Sequence, residues 1–217
     1  MAAGSTFPVM KLKLVIFDCD GVMFDSKFAN QTYYNHLLDH FGYPVMDEEE
    51  LEYVHIHNVN ESTRHIFRHY PDQNLQDVDD FRLETGYAPF LQYMKMEEDL
   101  IQFLDICKPR YQLAVSTNRT NTMEPILEIF KLNDYFVKVM TAENAKRPKP
   151  APDALLEILD FCNCKADEAI YIGDSIIDRE HSAGCGMRLI GFRNKKLAAE
   201  YHVNSFMEIL QLPPFQE

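Results

Sequence analysis

The sequence predicts an α/β fold in which a Rossmann-like, doubly wound parallel sheet forms the core and a small α-helical cap domain is inserted into that core. Three observations favour this fold. Short runs of consecutive apolar residues recur along the chain, which is typical of buried parallel strands. Amphipathic stretches with helical spacing separate these runs. One interval between two of the runs is far too long to be a loop.

Five apolar segments are expected to form the strands of the sheet. The first, residues 12–17, ends in four consecutive apolar side chains and is followed by a polar loop. The other segments are residues 112–116, 136–140, 169–172 and 188–192. Because parallel strands need crossover connections, the alternation of these strands with helices predicts right-handed β-α-β units.

Three stretches with an apolar helical face lie between the later strands, and a fourth helix is expected near the end of the sequence. The apolar faces lie at residues 100–104, 126–130 and 155–159, and the last helix is expected over residues 204–210. An apolar face of this kind is buried against the neighbouring layer, here the sheet. These helices therefore belong to the core domain.

The long interval between the first two strands carries helical patterns and little strand character. Helices are expected over residues 30–41, 47–53, 61–70 and 78–87. We therefore assign residues 25–95 to the cap domain, and residues 1–24 and 96–217 to the core domain. Asp25 and Ser26, where the chain enters the cap, are interpreted as a helix cap and a hinge.

The charge balance argues against a nucleic-acid partner. The 217 residues include 34 acidic and 21 basic side chains, which gives a formal net charge of −13. A surface with this charge repels a phosphate backbone, so we expect no nucleic-acid binding. Five cysteines with no paired spacing fit a reducing compartment.

Two further observations bear on location. Residues 1–10 lack the basic segment and the long apolar run of a signal peptide. No stretch approaches the ~20 apolar residues of a membrane span. We therefore expect a cytoplasmic protein that does not enter membranes, present as a monomer or a weak homodimer.

Polar side chains follow the predicted strands at the edge where ligands bind. In open parallel sheets, ligands bind beyond the carboxyl ends of the strands. The side chains that this topology gathers at that edge, or just before the following helix, are Asp18, Asp20, Ser116, Thr117, Asn118, Lys149, Asp174 and Asp178.

This set of side chains suits phosphoryl chemistry. Converging carboxylates repel one another unless a cation lies among them, and ligand oxygens without His or Cys favour Mg²⁺. A lysine and a hydroxyl can complete a site for phosphoryl oxygens. One carboxylate can then act as a nucleophile and form an aspartyl-phosphate. A second carboxylate can act as general acid and then as base, provided that its pKa is raised.

Four ordered motifs carry a family resemblance. They are Asp18-Cys-Asp20-Gly-Val, Ser116-Thr117-Asn118, Lys149-Pro-Ala-Pro-Asp and Gly173-Asp174-Ser-Ile-Ile-Asp178. With these motifs, the chain resembles the haloacid dehalogenase-like hydrolases over nearly all of its length after Lys11. The best fit is the subgroup with a helical cap, which includes phosphoglycolate phosphatases and β-phosphoglucomutase-like proteins. Four motifs in order are far more specific than any one of them.

The resemblance implies a role for each acidic residue. Asp18 would be the nucleophile and a metal ligand. Asp20 would be the general acid and base, and would bind the metal through its backbone carbonyl. Asp174 would ligate Mg²⁺, and Asp178 would orient the residues around the ion.

The resemblance also implies how the phosphoryl group is held. Thr117 and Asn118 would contact it, with Ser116 a weaker candidate because Thr-Asn is the usual pair in the family. Lys149 would balance the charge of the nucleophile and the phosphate. Each motif also has a purely structural interpretation: a turn, a helix cap or a rigid segment before a helix.

Within the family, Asp20 favours the hydrolysis of a phosphomonoester. A displaced alkoxide needs a proton, which an acid at this position supplies, whereas halide does not. The expected substrate is therefore a small phosphorylated metabolite. Two alternatives stay open: a phosphosugar mutase of the β-phosphoglucomutase type, favoured by Val22 in the first motif, and a binding module that has lost catalysis.

The cap segment around residues 54–62 is expected to contribute to substrate choice, because a cap closes over the leaving group. His55, His57 and Asn58 lie there, between two predicted helices. We expect them to hydrogen-bond a polar leaving group. The alternative is that they are helix-surface and capping residues.

Overall fold

The computed structural model describes residues 11–216 of the chain. The expectation about a signal peptide concerns residues 1–10 and lies outside the described residues. The strands, in chain order, are β1 (Leu14–Phe17), β2 (Phe24–Asp25), β3 (Lys95–Met96), β4 (Gln112–Ser116), β5 (Lys138–Met140), β6 (Ala169–Gly173), β7 (Arg188–Phe192) and β8 (Tyr201–Val203).

Six of these strands form one parallel sheet in the order β5-β4-β1-β6-β7-β8. The predicted segments 112–116 and 188–192 coincide with β4 and β7, whereas β1 and β5 are each two residues shorter than predicted. Strand β8 was not predicted, because three residues with one buried side chain leave little periodicity to detect.

The helices of the cap are α1 (Lys27–His40), α2 (Glu48–Ile56), α3 (Val59–Ile66) and α4 (Leu75–Thr85), followed by a 3₁₀ helix at Ala88–Tyr93. The core helices are α5 (Leu100–Cys107), α6 (Met123–Ile129), α7 (Asp153–Phe161), α8 (Ile176–Ala183) and α9 (Phe206–Ile209). Each predicted helix is present, with ends that differ by up to four residues.

Apolar clusters cover both faces of the sheet. The side chains alternate along β1, so Val15 and Phe17 pack on one face with helices α5, α6 and α9. Leu14 and Ile16 pack on the other face with helix α7. All four side chains are buried, and each stabilises the fold by roughly 1.5–3 kcal/mol. The predicted doubly wound α/β fold is confirmed.

The cap has an apolar cluster of its own, built from helices α1 to α4 and the 3₁₀ helix. Helix α2 begins with a reciprocal capping box, in which Asp47 and Glu50 satisfy each other's backbone N–H groups. Strands β2 and β3 pair antiparallel at residues 24–25 and 95–96, where the chain enters and leaves the predicted cap. The division into domains at those residues stays a prediction.

Two further findings concern membrane-spanning helices and cysteines. Of the helices within residues 11–216, none combines the length and the apolar character that a bilayer crossing needs. All five cysteines carry free thiols.

Candidate active site

The site lies at the carboxyl edge of the sheet, beneath the cap. Asp18 follows β1, Thr117 follows β4 and Asp174 follows β6, so three neighbouring strands deliver them to one place. A cavity between the sheet edge and the cap is lined by these three residues and by further predicted ones, namely Asp20, Asn118, Lys149, His55 and His57.

Asp18 is buried at the centre of the site. Its Oδ1 accepts a hydrogen bond of 2.7 Å from the backbone N–H of Cys19 and lies 2.7 Å from Nζ of Lys149. Burial and the negative charge of Asp178 raise the pKa of Asp18 to about 8, although Lys149 opposes this shift. The positive charge of Lys149 therefore offsets only part of the effect of burial, which disfavours the ionised form of Asp18.

Three carboxyl groups form a compact acidic cluster. Asp18, Asp174 and Asp178 each offer one oxygen, and these oxygens all lie within 4.8 Å of one another. Burial, together with the charges of Asp178 and Asp18, raises the pKa of Asp174 well above its usual value. Such a cluster is stabilised by added positive charge, which makes it a candidate cation site.

The backbone at Gly21 leaves room for Asp174. Gly21 has φ +74°, and a Cβ atom there would lie 2.1 Å from Oδ2 of Asp174. Only glycine meets both requirements, a left-handed backbone and the close approach of a carboxylate. This explains why the first motif needs glycine directly after Asp20.

Lys149 is the cation of the acidic cluster, with only 4% of its surface exposed. Its Nζ lies 2.7 Å from Asp18 and 2.7 Å from Asp178, and it donates a hydrogen bond of 3.1 Å to the hydroxyl of Tyr171. Burial disfavours the ammonium, but the carboxylates of Asp178 and Asp18 outweigh burial and raise the pKa of Lys149. Lys149 therefore stays charged between the two acids.

Asp178 is held by the start of helix α8. Its Oδ2 accepts from the backbone N–H groups of Asp174 (3.2 Å) and Ser175 (3.1 Å) and from the Ser175 hydroxyl (2.7 Å). Burial would raise the pKa of Asp178, but Lys149 and these hydrogen bonds lower it. An ionised Asp178 thus fixes the loop that carries Asp174.

The contacts of the Asp20 carboxylate lie outside the acidic cluster. It accepts a hydrogen bond from the Ser26 hydroxyl and pairs with Arg119 at 2.6 Å. Burial would raise the pKa of Asp20, but the positive charge of Arg119 outweighs it and the pKa is lowered. The sequence-based mechanism required a raised pKa at this residue, and Arg119 is the reason why the structure has the opposite.

Arg119 links the core to the cap and was not predicted as a site residue. Its guanidinium donates to the Thr122 hydroxyl (3.2 Å) and lies 5.0 Å from the centre of the Tyr87 ring. The Tyr87 hydroxyl in turn donates to Asn30 of α1 at 2.6 Å. The one sequence signal was its position directly after Asn118, in the loop that follows strand β4.

Ser116 faces the interior of the sheet domain. Its hydroxyl lies 2.9 Å from Nε2 of His181, whose Nδ1 donates to the carbonyl of Ala151 at 2.7 Å. Because Nδ1 carries the proton, Nε2 accepts from the Ser116 hydroxyl. Thr117 and Asn118 line the cavity instead.

The family follows from a match over most of the chain. The family model described as haloacid dehalogenase-like hydrolase matches residues 15–192, which span all four motifs. The chain belongs to the haloacid dehalogenase-like hydrolases. The resemblance carried by the motifs is thereby confirmed.

Relatives of this hydrolase match most of its length. The phosphoglycolate phosphatase of Chromobacterium violaceum is 26% identical, with 93% of this chain and 96% of that protein covered. The pyrophosphatase PpaX of Bacillus velezensis is 24% identical, with 83% of each covered. A hydrolase of subfamily IA, variant 1, from Geobacter sulfurreducens superimposes with a TM-score of 0.81 and 32% identity, covering 92% of this chain and 98% of that one.

The hydrolase brings the phosphate-binding candidates of the second and third motifs into contact. Nδ2 of Asn118 donates to the backbone carbonyl of Lys149 at 3.2 Å and to that of Ile56 in the cap at 3.5 Å. Oδ1 of Asn118 is buried and has no hydrogen-bond partner among residues 11–216. The Thr117 hydroxyl accepts from the backbone N–H of Arg119 at 3.1 Å.

The cap candidates of the hydrolase differ in position. His55 lines the cavity, and its Nδ1 lies 3.5 Å from Nδ2 of Asn30; burial lowers its pKa. His57 also lines the cavity and stacks on Tyr53 with 3.7 Å between ring centres. Asn58 caps helix α3 through the N–H groups of Asn60 and Glu61, and it lines a neighbouring cavity. The interpretation of Asn58 as a helix-capping residue therefore agrees with its observed contacts.

Proposed function

We propose that this hydrolase is a Mg²⁺-dependent phosphatase of small phosphorylated metabolites that works through an aspartyl-phosphate on Asp18. The observation that carries the proposal is the acidic cluster with its lysine. Oxygens of Asp18, Asp174 and Asp178 lie within 4.8 Å of one another, and Lys149 lies 2.7 Å from Asp18. The names of the relatives, phosphoglycolate phosphatase and pyrophosphatase, point to the same class of reaction.

The donor set of the cluster fits Mg²⁺. It consists of carboxylate oxygens without His or Cys, which is the set that hard cations prefer. Asp18, Asp174 and the backbone carbonyl of Asp20 would hold the ion, and Asp178 would orient Asp174. When bound, Mg²⁺ would neutralise negative charge on the phosphoryl oxygens.

Side chains of the protein carry out the nucleophilic attack, bind the phosphoryl group and stabilise its charge. Asp18 attacks phosphorus and forms a bond from its carboxylate oxygen as the bond to the leaving oxygen breaks. Thr117 and Asn118 hydrogen-bond the phosphoryl oxygens, and Lys149 stabilises the charge that accumulates between them and Asp18. Water then attacks the aspartyl-phosphate, which releases phosphate and regenerates Asp18.

Asp20 handles the proton in both halves of this cycle. It protonates the leaving oxygen in the first half and accepts a proton from water in the second. Arg119, at 2.6 Å, favours the ionised form of Asp20, which suits the second half. The first half requires that the Asp20–Arg119 contact loosens when substrate occupies the cavity.

The cavity supports a small substrate. It is roofed by the cap and lined by the polar side chains of His55, His57, Arg119 and Asn121. A folded protein would not reach Asp18 beneath this roof. Val22, the residue that favoured the mutase alternative, is fully buried in the apolar core and does not line the cavity, so no contact of Val22 with a substrate favours a mutase.

An activity assay of the purified protein against a panel of phosphate esters tests the proposal. We expect turnover with Mg²⁺, loss of turnover in chelator, and loss in Asp18→Asn. Intact-mass spectra after acid quench should show a phosphorylated form in wild type and none in Asp18→Asn. The matched control is Asp25→Asn, because Asp25 is exposed and accepts a hydrogen bond from the backbone N–H of Lys27. Full activity of Asp18→Asn, or full activity in chelator, would overturn the proposal.

A further inference from the structure

Tyr171 is a core residue of β6 whose hydroxyl reaches the catalytic cluster. Its ring belongs to the apolar cluster on the α7 face of the sheet and is fully buried. The ring also contacts His181 edge-on, with 5.6 Å between centres and 77° between planes. These contacts fix the ring, so the position of the hydroxyl is fixed as well.

The Tyr171 hydroxyl contacts elements that carry three different motifs. It accepts a hydrogen bond of 3.1 Å from Nζ of Lys149. It also lies 3.0 Å from the carbonyl of Ser116 and 3.0 Å from Oδ1 of Asp178. A phenol has one proton, so it donates to one of these two acceptors at a time. Burial and the nearby carboxylates raise the pKa of Tyr171, which keeps that proton in place.

This hydroxyl completes the hydrogen bonding of the lysine. The Lys149 ammonium has three protons, and its three partners are Asp18, Asp178 and Tyr171. Without the hydroxyl, one proton of a buried ammonium would lose its acceptor. Lys149 would then rotate toward the carboxylates alone, and its direction relative to Asp18 would no longer be fixed.

We propose that Tyr171 is a positioning residue whose hydroxyl orients Lys149 toward Asp18. The same hydroxyl holds the carbonyl of Ser116, so that Thr117, the next residue, keeps its position relative to Lys149 and Asp18. The proposal rests on the proposed phosphoryl transfer, in which Lys149 stabilises charge at Asp18. The hydroxyl lies in the buried core and is not a lining residue of the cavity, so Tyr171 acts through Lys149 and not on substrate.

The first test removes the hydroxyl alone. In Tyr171→Phe, kcat for an aryl phosphate should fall by about tenfold or more, because a hydrogen bond to a charged group is lost. KM should change by less than about twofold, because the lining residues are unchanged. The matched control is Tyr135→Phe, which removes a hydroxyl bonded to Asp105 at 2.7 Å on the surface and should keep wild-type kcat. An unchanged kcat in Tyr171→Phe would overturn the proposal.

A double-mutant cycle separates positioning from general loosening. If Tyr171 acts through Lys149, the effect of Tyr171→Phe on kcat should disappear in a Lys149→Met background. An equal fold-loss in both backgrounds would show a role in folding only and would overturn the proposal. If wild type itself hydrolyses no phosphate ester, the proposed function fails instead, so the two failures are distinguishable.

A measurement on wild type covers the case in which Tyr171→Phe does not fold. In ¹⁵N-lysine-labelled protein, the buried Lys149 ammonium should give protected protons with an NOE to the Tyr171 ring, whose centre lies 5.8 Å from Nζ. Lys149→Met assigns the signal. A protected Lys149 signal without that NOE, or no protected signal, would contradict the geometry on which the proposal rests.

Discussion

Nζ of Lys149 lies 2.7 Å from Oδ1 of Asp18, and both side chains are buried. The same nitrogen lies 2.7 Å from Asp178, so one cation serves two acids. A buried charge pair of this kind stabilises the fold weakly, but loss of one partner leaves an uncompensated charge. Loss of Lys149 is therefore expected to lower both the free energy of unfolding and kcat.

Lys149→Met keeps most of the length of the unbranched side chain and removes its charge. We expect kcat to fall by about 10²- to 10³-fold, the usual effect of losing an electrostatic group at the reacting centre. The free energy of unfolding of the metal-free protein should fall by about 3 kcal/mol, because Asp18 and Asp178 lose their cation. Steady-state kinetics and urea unfolding measure both effects.

Lys138→Met is the matched control for Lys149→Met. Lys138 pairs with Glu157 at 2.8 Å, but both side chains are partly exposed. Its removal should cost less than about 1 kcal/mol and leave kcat unchanged. If Lys149→Met lowers stability but retains wild-type kcat, the third motif is a structural turn, and Lys149 has no part in phosphoryl transfer.

The pair of Arg119 and Asp20 gives a second prediction. Both side chains are mostly buried, at 7% and 15% exposure. Arg119→Leu should lower the free energy of unfolding by about 3 kcal/mol, because it leaves a buried carboxylate unpaired. Asp20→Asn in the same chain should recover about 1–3 kcal/mol of that loss. Urea unfolding of the two single variants, the double variant and wild type gives the coupling energy.

A surface pair serves as the control cycle for Arg119 and Asp20. Arg147 and Asp153 lie 2.7 Å apart, with Arg147 66% exposed. Their coupling should stay below about 1 kcal/mol, because water screens exposed charges. Coupling energies of equal size in the two cycles would mean that burial adds nothing to the contact between Arg119 and Asp20.

The sequence predicted the sheet and the acids at its edge for one physical reason. A buried parallel strand leaves a continuous apolar run, and the residue after the run has a fixed position relative to the neighbouring strands. Asp18, Thr117 and Asp174 were found in this way. Strands β2 and β3, with two residues each, are too short to leave any such pattern.

The contacts of Arg119 and Tyr171 could not be predicted by the same reasoning. Arg119 meets Asp20 across 99 positions of the chain, so the contact depends on the packing of two loops and not on local pattern. Tyr171 fits an apolar strand, and only the structure places its hydroxyl beside Lys149. The low pKa of Asp20 follows from Arg119 and was missed together with it.

Gly21 offers a prediction about metal binding that requires no turnover. A Cβ at Gly21 would lie 2.1 Å from Oδ2 of Asp174, so Gly21→Ala must displace that carboxylate. Mg²⁺ affinity should fall by about tenfold or more, measured by calorimetry. Gly42 has nearly the same backbone, φ +76°, with no atom within 4 Å of its Cβ position. Gly42→Ala should lose about 1–2 kcal/mol of stability and keep wild-type Mg²⁺ affinity. Equal Mg²⁺ affinities in the two variants would exclude Asp174 as a ligand.

His181 predicts how stability depends on pH. Burial lowers the pKa of His181 to about 4, and the nearby positive charge of Lys149 adds to this shift. The negative charges of Asp178 and Asp153 oppose the shift but are outweighed. The imidazole therefore stays neutral in the folded protein, where Nε2 accepts from Ser116. In the unfolded chain a histidine titrates near ~6.5. Between these values the unfolded state binds more protons than the folded state, so stability falls as pH falls.

Above a pH of ~6.5 the contribution of His181 is fully present, and at pH 5 about 2 kcal/mol of it should be lost. His181→Asn removes the titrating group, although it also lowers stability at every pH because Ser116 and Ala151 lose their partner. Urea unfolding of both proteins at pH 7 and pH 5 isolates the effect. Wild type should lose about 2 kcal/mol more than His181→Asn over this interval. Equal losses would mean that His181 is protonated in the folded protein at pH 5. Nε2 would then carry a proton and donate to the Ser116 hydroxyl instead of accepting from it.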